Sequence, residues 1–299
     1  MEGNIKRELA IYVNQLDSDF EGFVNLAAEA GFEYLCTQDS IEWLDLSKEE
    51  RMRKIGNTKE TVEKHGLKFL AHHSNPILLP DLDIKKSVEY LKNFIDELKE
   101  WEISFYVLHN RSIKDEAKPW RVIEEIGKEK FDEITAEVLK EVCDYASQFN
   151  ISIALENLPY PYVKKIEEIF EIIEMVEREN LGICFDSGHS YISTHSVYEE
   201  LRKTRDRLFT THFHDNFGCP EEVEVTDENI DKWDRHLMPG LGIINWVEIN
   251  KILNEIGYKY PVAFEGIRGI EDKEDLLNIT VKLWRTFESF AKEGGENEG

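Results

Sequence analysis

The chain lacks any long apolar stretch. No run of about 18 apolar residues, the length that a membrane-spanning helix needs, occurs in its 299 residues. The N-terminal segment MEGNIKRELAIYV has no apolar core of the kind found in signal peptides. The sequence therefore predicts neither a membrane span nor a secretory leader.

Cysteine is scarce. The four cysteines, Cys36, Cys143, Cys184 and Cys219, show no CxxC spacing and lie in unlike contexts. This usage argues against a disulfide framework and against a zinc ribbon. It is typical of the reduced thiols of a cytoplasmic protein, and we expect that location.

Positive charge is also in short supply. The chain has 36 Lys and Arg against 61 Asp and Glu, a formal net charge of -25. A surface of that sign repels phosphate backbones and anionic lipid, which disfavours nucleic acid and membranes as partners. We expect a small-molecule partner instead, and homo-oligomerisation is left open.

Eight short apolar or aromatic runs alternate with eight segments of helical periodicity. The predicted strands are residues 9–14, 34–38, 68–74, 105–110, 151–157, 181–189, 208–216 and 261–266. No linker divides the chain, so we expect one domain over residues 1–292 and a disordered tail at 293–299. Eight β-α units favour a (β/α)8 TIM barrel, with a doubly wound open sheet as the alternative.

Histidines gather where the predicted strands end. Six lie at or just after strand ends and one follows in the loop after the seventh strand: His72, His73, His109, His189, His212, His214 and His236. In a parallel barrel the functional face is built at the C-terminal ends of the strands. The distribution therefore predicts a site there.

Carboxylates end three of the same strands. Glu156, Asp186 and Glu265 each follow an apolar run, where an unpaired charge costs several kcal/mol to bury. The alternative to metal binding is an ion pair inside the barrel, but the only basic residues near strand ends are Arg111 and Arg268. Three carboxylates and an imidazole suit a divalent cation such as Mn²⁺, Mg²⁺, Co²⁺ or Zn²⁺.

Four motifs on the last four strands carry a family resemblance. ALEN (154–157), CFDSGH (184–189), HFHDN (212–216) with DRHLMPGLGIINW (234–246), and AFEG (263–266) occur in this order. The ordered set resembles the xylose isomerase-like barrel superfamily. That group includes sugar isomerases and 3-epimerases, inosose dehydratase, hydroxypyruvate isomerase and endonuclease IV.

The resemblance implies a metal site on Glu156, Asp186, His212 and Glu265. His212 is chosen over His214 because the family pattern has a His three residues before an acid, here Asp215.

The resemblance also implies chemical roles. In the isomerase and epimerase branch the two glutamates transfer protons through an enediolate, so Glu156 and Glu265 are the expected catalytic residues. His189 matches the position that contacts a substrate oxygen. Trp43, Trp120 and Trp233, in long loops, are candidates for aromatic pocket walls or for ordinary loop packing.

The match to one branch is incomplete. Ketose 3-epimerases carry a second Glu six residues after the first and an Arg six residues after the metal His, where this chain has Tyr162 and Gly218. These departures argue against a ketohexose 3-epimerase. They leave another sugar, an inositol derivative or a small hydroxy-keto acid as substrate, with an inosose dehydratase-like lyase as a further alternative.

Endonuclease IV, a zinc-dependent nuclease of abasic DNA, is the main alternative. Its three-zinc site needs ligands beyond the shared four, and we assign to substrate binding or additional metal His72 (or its neighbour His73), His109, His189, His214, Asp234 and His236. The net charge of -25 and the absence of basic strings in the loops weigh against a DNA substrate. The sequence therefore favours a metal-dependent isomerase or epimerase.

A barrel that binds metal and ligand without turnover is the third possibility, and it predicts that Glu156 or Glu265 tolerates replacement by Gln with only a loss of affinity.

Overall fold

The computed structural model describes residues 6–39, 41–79, 81–112, 121–223, 225–226 and 228–293. For residues 41, 44, 75, 76, 111, 112, 121 and 293 only the backbone is described. Trp120 lies outside the described residues, as does the expected tail at 293–299 apart from residue 293, which is helical.

All eight predicted strands are present. They are β1 Leu9–Val13, β2 Tyr34–Gln38, β3 Lys68–Leu78, β4 Phe105–Ser112, β5 Ser152–Glu156, β6 Leu181–Asp186, β7 Leu208–His212 and β8 Val262–Phe264. Every ladder is parallel, in the order β7-β6-β5-β4-β3-β2-β1-β8. The (β/α)8 TIM barrel is confirmed, and the open sheet is excluded because β7 and β8 also meet.

The contact between β7 and β8 closes the barrel with few backbone hydrogen bonds. The Phe213 N–H donates to the Ala263 carbonyl at 2.9 Å, and Phe213 and Phe264 form a parallel bridge. The Thr211 hydroxyl accepts from the Ala263 N–H at 2.9 Å and donates to the Ala263 carbonyl at 3.1 Å. At this seam between β7 and β8, the Thr211 side chain thus makes the contacts that a backbone-to-backbone hydrogen bond makes elsewhere in the sheet.

Twelve helices are found among the described residues. They are α1 Phe20–Ala30, α2 Ile41–Leu44, α3 Lys48–Lys64, α4 Ile84–Leu98, α5 Arg121–Ile126, α6 Lys128–Ala146, α7 Ile166–Val176, α8 Ser187–Thr194, α9 Val197–Thr204, α10 Ile230–Trp233, α11 Trp246–Glu255 and α12 Lys273–Glu293. Eight correspond to the predicted helices, and α2, α5, α8 and α10 are short additions. Local chemistry sets several starts: Ser47 and Glu50 form a capping box before α3, and the Asn245 side chain accepts from two N–H groups of α11.

The barrel interior is layered along its axis. The rings of Phe105, Phe209 and Tyr260, near the strand starts, pack with centroid distances of 5.1 to 6.2 Å. Small buried side chains such as Ala154 and Cys184 follow. Above them the strands end in polar residues, so the small middle layer leaves the room that the site occupies. A larger apolar layer between strands and helices fixes this frame.

Candidate metal centre

Four side chains from four adjacent strand ends converge. Glu156, Asp186 and His212 are the last residues of β5, β6 and β7, and Glu265 directly follows β8. One ligand atom from each lies within 4.8 Å of all the others. Their residues are 1%, 0%, 0% and 6% exposed. The strand order alone explains the convergence, because neighbouring parallel strands end at the same rim.

His212 lies between the two glutamates. Its Nδ1 is 3.2 Å from Glu156 Oε2 and 3.2 Å from Glu265 Oε2. Its Nε2 lies 2.8 Å from the Tyr12 hydroxyl on β1. That contact fixes the ring so that Nδ1 faces the carboxylates, an orientation typical of a histidine ligand supported by an outer partner.

Two buried atoms of this group have unused binding capacity. Glu156 Oε1 and His212 Nδ1 make no hydrogen bond to any residue that the structure describes. Buried polar atoms are ordinarily satisfied, so atoms such as these are expected to bind a water molecule or an ion. Three carboxylates and one imidazole are the donor set of a divalent cation, so the residues present fit the metal expected from the sequence.

The side chains that contact the three carboxylates as ion-pair partners are histidines, among the residues described. Within the described part of the chain, no Lys or Arg nitrogen lies within 4 Å of a carboxylate oxygen of Glu156, Asp186 or Glu265. Arg268 is exposed. The ion-pair alternative to metal binding therefore finds no support among these residues.

The charges of the site act strongly on one another. Burial alone would raise the pKa of Glu156 and of Glu265, but His212 and the other histidines outweigh it and hold both carboxyl pKa values well below their usual range. Burial alone would lower the pKa of His212, but electrostatic interactions with Cys184 and with the carboxylates of Glu156 and Glu265 hold it well above its usual value. The cluster thus stabilises positive charge at its centre, as a cation site must.

His73 and His109 extend this cluster toward β3 and β4. The two Nε2 atoms are 2.8 Å apart, and His109 Nε2 lies 3.0 Å from Glu156 Oε2. His73 Nε2 is 3.3 Å from the same oxygen, and His73 Nδ1 is 3.1 Å from Glu265 Oε1. His73 therefore contacts both glutamates.

The structure does not bring His72 into the site. Its ring is fully buried on the opposite face of β3, where Nε2 lies 3.0 Å from Asp39 Oδ1 and Nδ1 lies 2.8 Å from Thr37 Oγ1. Successive side chains of a strand point to opposite faces, so only one of two adjacent histidines enters the barrel. The assignment of His72 is corrected to His73.

A second group lies beside the first. One ligand atom from each of His189, His214, Asp234 and His236 falls within 4.8 Å of the others. His189 Nε2 is 3.3 Å and His236 Nε2 is 3.0 Å from Asp234 Oδ2. The His214 and His236 rings stack at 3.9 Å. The structure thus brings together every additional residue that we assigned from the sequence except His72.

In the second group, hydrogen bonds at Nδ1 orient the rings of His189 and His236. His189 Nδ1 lies 3.1 Å from the Asn157 carbonyl, and His236 Nδ1 lies 3.2 Å from the Glu265 carbonyl. Each Nδ1–H donates to its carbonyl, which leaves Nε2 directed at Asp234. Metal-binding histidines are commonly held in this way, so the second group also has the features of a cation site.

Asp186 links the two groups. Its Oδ1 accepts from the His189 N–H at 2.6 Å and so caps α8, while its Oδ2 lies 3.1 Å from His214 Nε2. The Asn157 side chain binds both the N–H and the carbonyl of Asp186, at 2.8 and 2.9 Å. The helix start places His189 over the site, although periodicity did not predict α8.

The motif MPGLGIINW holds the loop that carries Asp234 and His236. The Asp215 carboxylate accepts from the N–H groups of Gly240 and Ile244, at 2.9 and 3.1 Å, and from Trp246 Nε1 at 2.8 Å. A Cβ on Gly242 would lie 2.3 Å from Asp215 Oδ1, so the loop needs glycine there.

Two tryptophans proposed for the pocket are described. Trp43 is buried and stacks on Trp101 at 5.9 Å in the layer outside the barrel, so packing is its role. Trp233 is partly buried beside Ile192 and Val225. Tyr12 was missed by the sequence analysis, although its alternation with Ala10 on β1 was a usable signal.

Comparison with known proteins agrees with the fold. The family model described as xylose isomerase-like TIM barrel matches residues 24–286. The inosose isomerase of Bacillus velezensis is 26% identical over 243 residues, 78% of this chain and 81% of that protein.

Two further proteins are similar to this chain. A probable endonuclease 4 of Sulfurihydrogenibium sp. is 24% identical over 281 residues, 89% of this chain and 93% of that protein. The crystal structure of the IolI protein with a bound zinc atom has a TM-score of 0.67 and 21% identity, and covers 95% of this chain and 98% of its own.

None of the helices described combines the length and apolar character needed to cross a membrane. On the extent of the family match, this chain belongs to the xylose isomerase-like TIM barrel family.

Proposed function

We propose that this protein is a cytoplasmic, divalent-metal-dependent isomerase or epimerase of a sugar or sugar derivative. One observation carries the proposal: the carboxylates of Glu156 and Glu265 approach the same His212 nitrogen to 3.2 Å from β5 and from the end of β8. Two buried carboxylates that converge on one point from different strands suit proton removal and return at one carbon.

Glu156, Asp186, His212 and Glu265 are the residues that would hold the metal. When bound, the cation would orient substrate oxygens and stabilise the negative charge that develops when a proton leaves the carbon beside a carbonyl.

The proton itself moves between substrate and glutamates. One of Glu156 and Glu265 removes it to give an enediolate, a proton passes from that glutamate through His73 to the other, and the second glutamate delivers it to the same carbon or to the neighbouring carbon. The low carboxyl pKa values mean that both glutamates begin ionised, as a base requires. His73 touches both glutamates and is placed to exchange the proton with them.

The relatives suggest the substrate class. The Bacillus velezensis relative is an inosose isomerase, and the departures at Tyr162 and Gly218 already argue against a ketohexose 3-epimerase. A cyclic polyol ketone is therefore our first candidate substrate.

Hydrogen exchange tests the proposal. Inososes, ketoses and hydroxypyruvate are incubated with the protein and Mn²⁺ or Zn²⁺ in D₂O, and loss of the proton beside the carbonyl is followed by NMR. Glu265→Gln should slow exchange about 100-fold or more while the circular dichroism spectrum is unchanged. Glu97→Gln, which alters a buried carboxylate outside the barrel, is the control. Exchange that survives Glu265→Gln rejects the proton-transfer role.

A second candidate function is hydrolysis of a phosphodiester at a multi-metal site. The observation that favours it is the second group, whose histidines are held as ligands are, beside the His73 and His109 extension. The probable endonuclease 4 relative spans most of this chain. Several metal ions in one site suit the attack of hydroxide and the departure of an oxygen anion.

Metal content separates the two functions. Elemental analysis that finds one ion per chain supports sugar chemistry, and three ions together with cleavage of duplex DNA at an abasic site support the nuclease. Absence of bound metal, with no gain in thermal stability on adding Mn²⁺ or Zn²⁺, contradicts both.

A further inference from the structure

Asp39 holds three consecutive residues of β3, the strand that carries His73. Its backbone N–H donates to the His73 carbonyl at 2.9 Å. Its carboxylate contacts the residues on either side of His73: Oδ1 lies 3.0 Å from His72 Nε2, and Oδ2 accepts a short hydrogen bond from the Ser74 hydroxyl.

Each polar atom of this network has a partner. A carboxylate only accepts hydrogen bonds, so the ring of His72 donates Nε2–H to Asp39. The other ring nitrogen, Nδ1, lies 2.8 Å from the Thr37 hydroxyl, which can either donate or accept a hydrogen bond. Every group in the chain from Thr37 through His72 to Asp39 has a partner, and a fully satisfied buried network is rigid.

The network is sealed from solvent. The side chains of His72 and Asp39 are 0% and 1% exposed. The rings of Trp101 and Tyr106 lie against the His72 ring, at centroid distances of 5.7 and 6.2 Å. Because the low-dielectric surroundings strengthen these hydrogen bonds, an unpaired Asp39 would be costly.

β3 needs such an anchor at this point. Its regular pairing with β2 ends at the pair of His73 with Gln38. On its other side, the register with β4 shifts directly after Ser74. The backbone pairing of β3 with its two neighbouring strands therefore ends or becomes irregular at or just after His73, whose side chain enters the site.

Holding the outward-facing residues sets the direction of the inward-facing one. Since side chains alternate along a strand, His72 and Ser74 on the outer face fix the rotation of the backbone at His73. His73 in turn contacts Glu265 Oε1 at 3.1 Å and Glu156 Oε2 at 3.3 Å. Asp39 thus acts on both glutamates through one imidazole.

We propose that Asp39 is a positioning residue that fixes His73 against the two metal-binding glutamates, an inference that rests on the proposed function for the roles of Glu156 and Glu265. Asp39 itself touches neither glutamate in the contacts of the described residues. Its function is to define where the His73 ring stands.

The first measurement follows the His73 ring directly and needs no metal. Long-range ¹H–¹⁵N spectra of the metal-free protein report each imidazole, with signals assigned from single His→Gln variants. Asp39→Ala should shift the ring signals of His72 and His73 and leave those of His189 and His236 in place. Glu97→Gln is the matched control, because it also alters a buried carboxylate outside the barrel but contacts Arg51 instead of β3.

The second measurement is the dissociation constant of Mn²⁺ or Zn²⁺ by competition with a chelator. We expect Asp39→Ala to weaken binding by at most about 10-fold, the lower end of the scale for losing an outer partner of a metal ligand, because Asp39 acts one residue further out, through His73. Asp39→Asn should rescue most of the loss, because its oxygen still accepts from His72 and its amide donates to Ser74. Glu97→Gln should bind as the wild type does.

The outcomes separate the two claims. If the wild type binds no metal, the proposed function falls, and the ring spectra still decide the inference. Unchanged His73 signals in Asp39→Ala overturn it. If Asp39→Ala does not fold, Ser74→Ala removes one of the three contacts while leaving the chain foldable, and unchanged His73 ring signals in Ser74→Ala overturn the inference.

Discussion

Thr211 closes the barrel between β7 and β8 with its side chain, and its replacement by valine is expected to destabilise the fold. The hydroxyl accepts from the Ala263 N–H and donates to the Ala263 carbonyl, at 2.9 and 3.1 Å. Thr211 and Ala263 are fully buried. Valine has nearly the same volume, so the change removes the hydroxyl without opening a cavity.

The expected loss follows from the groups left behind. The buried Ala263 N–H loses its acceptor, which costs about 1–3 kcal/mol. The Ala263 carbonyl loses one bond worth about 1 kcal/mol but keeps the bond from the Phe213 N–H at 2.9 Å. Thr211→Val should therefore lower the free energy of unfolding by about 2–4 kcal/mol.

The neighbouring threonine is a matched control. Thr210 is equally buried, but its hydroxyl makes no hydrogen bond to any described residue. Thr210→Val should be neutral or stabilising, because it replaces an unsatisfied polar group by an apolar one of the same shape. Urea unfolding followed by circular dichroism measures both variants. Losses that agree within about 0.5 kcal/mol would refute the assigned role of the Thr211 hydroxyl.

Three other predictions concern the loop, the metal and the thiols. Gly242→Ala places a Cβ 2.3 Å from Asp215 Oδ1 and 2.4 Å from the Asn216 carbonyl, and should lower the melting temperature and speed proteolysis of the loop. The control is Gly56→Ala, whose Cβ would have no atom within 4 Å and which should stabilise α3 by up to about 1 kcal/mol. If Gly242→Ala is as stable as Gly56→Ala, the predicted steric clash at Gly242 is wrong. Removal of metal with a chelator should lower the melting temperature. Adding Mn²⁺ or Zn²⁺ at 100 times its Kd should raise the free energy of unfolding by about 2.7 kcal/mol. A melting curve that does not change would argue against a metal site in the folded protein. Burial raises the pKa of Cys184 to about 12, so this thiol should resist alkylation at pH 8 and react only after unfolding; labelling of the native protein, read by mass spectrometry, would contradict its burial.

The strands could be predicted because a parallel barrel buries both faces of each one. LGICF before Asp186 and LFTT before His212 are continuous apolar or small runs, and a sudden change to polar residues marks where each strand reaches the rim. The same change predicted which residues meet, since neighbouring strands end together. Strand order was enough to bring Glu156, Asp186 and Glu265 to one rim, whereas the choice of His212 over His214 as their partner depended on the family resemblance.

The choice between His72 and His73 could not be made from the sequence. Alternation shows that they face opposite sides, but two identical side chains leave open which side is which. In the structure the choice depends on Asp39, which lies 33 residues before His72 along the chain. Its buried carboxylate contacts the His72 ring on the outer face of β3, which leaves His73 to enter the barrel. Long-range partners of this kind have no local signature.

Helix α8 was missed for a related reason, and the loop that carries Asp234 was predicted without its internal arrangement. α8 spans only Ser187–Thr194, too short for a periodic apolar stripe, and its start depends on Asp186 as the cap. The loop before α11 is arranged around the Asp215 carboxylate. Its glycines marked a turn, but not the group that they approach.

The seam between β7 and β8 has a consequence for biosynthesis. β8 is the last strand, and it must insert between β1 and β7 before the Ala263 backbone can meet Thr211. Glu265 follows it directly, so the ribosome has already released every other group of the site before this carboxylate emerges. A nascent chain shorter than 265 residues lacks the group that completes the cluster. Assembly of the centre is thereby tied to completion of the last strand, and an interrupted chain carries no finished site.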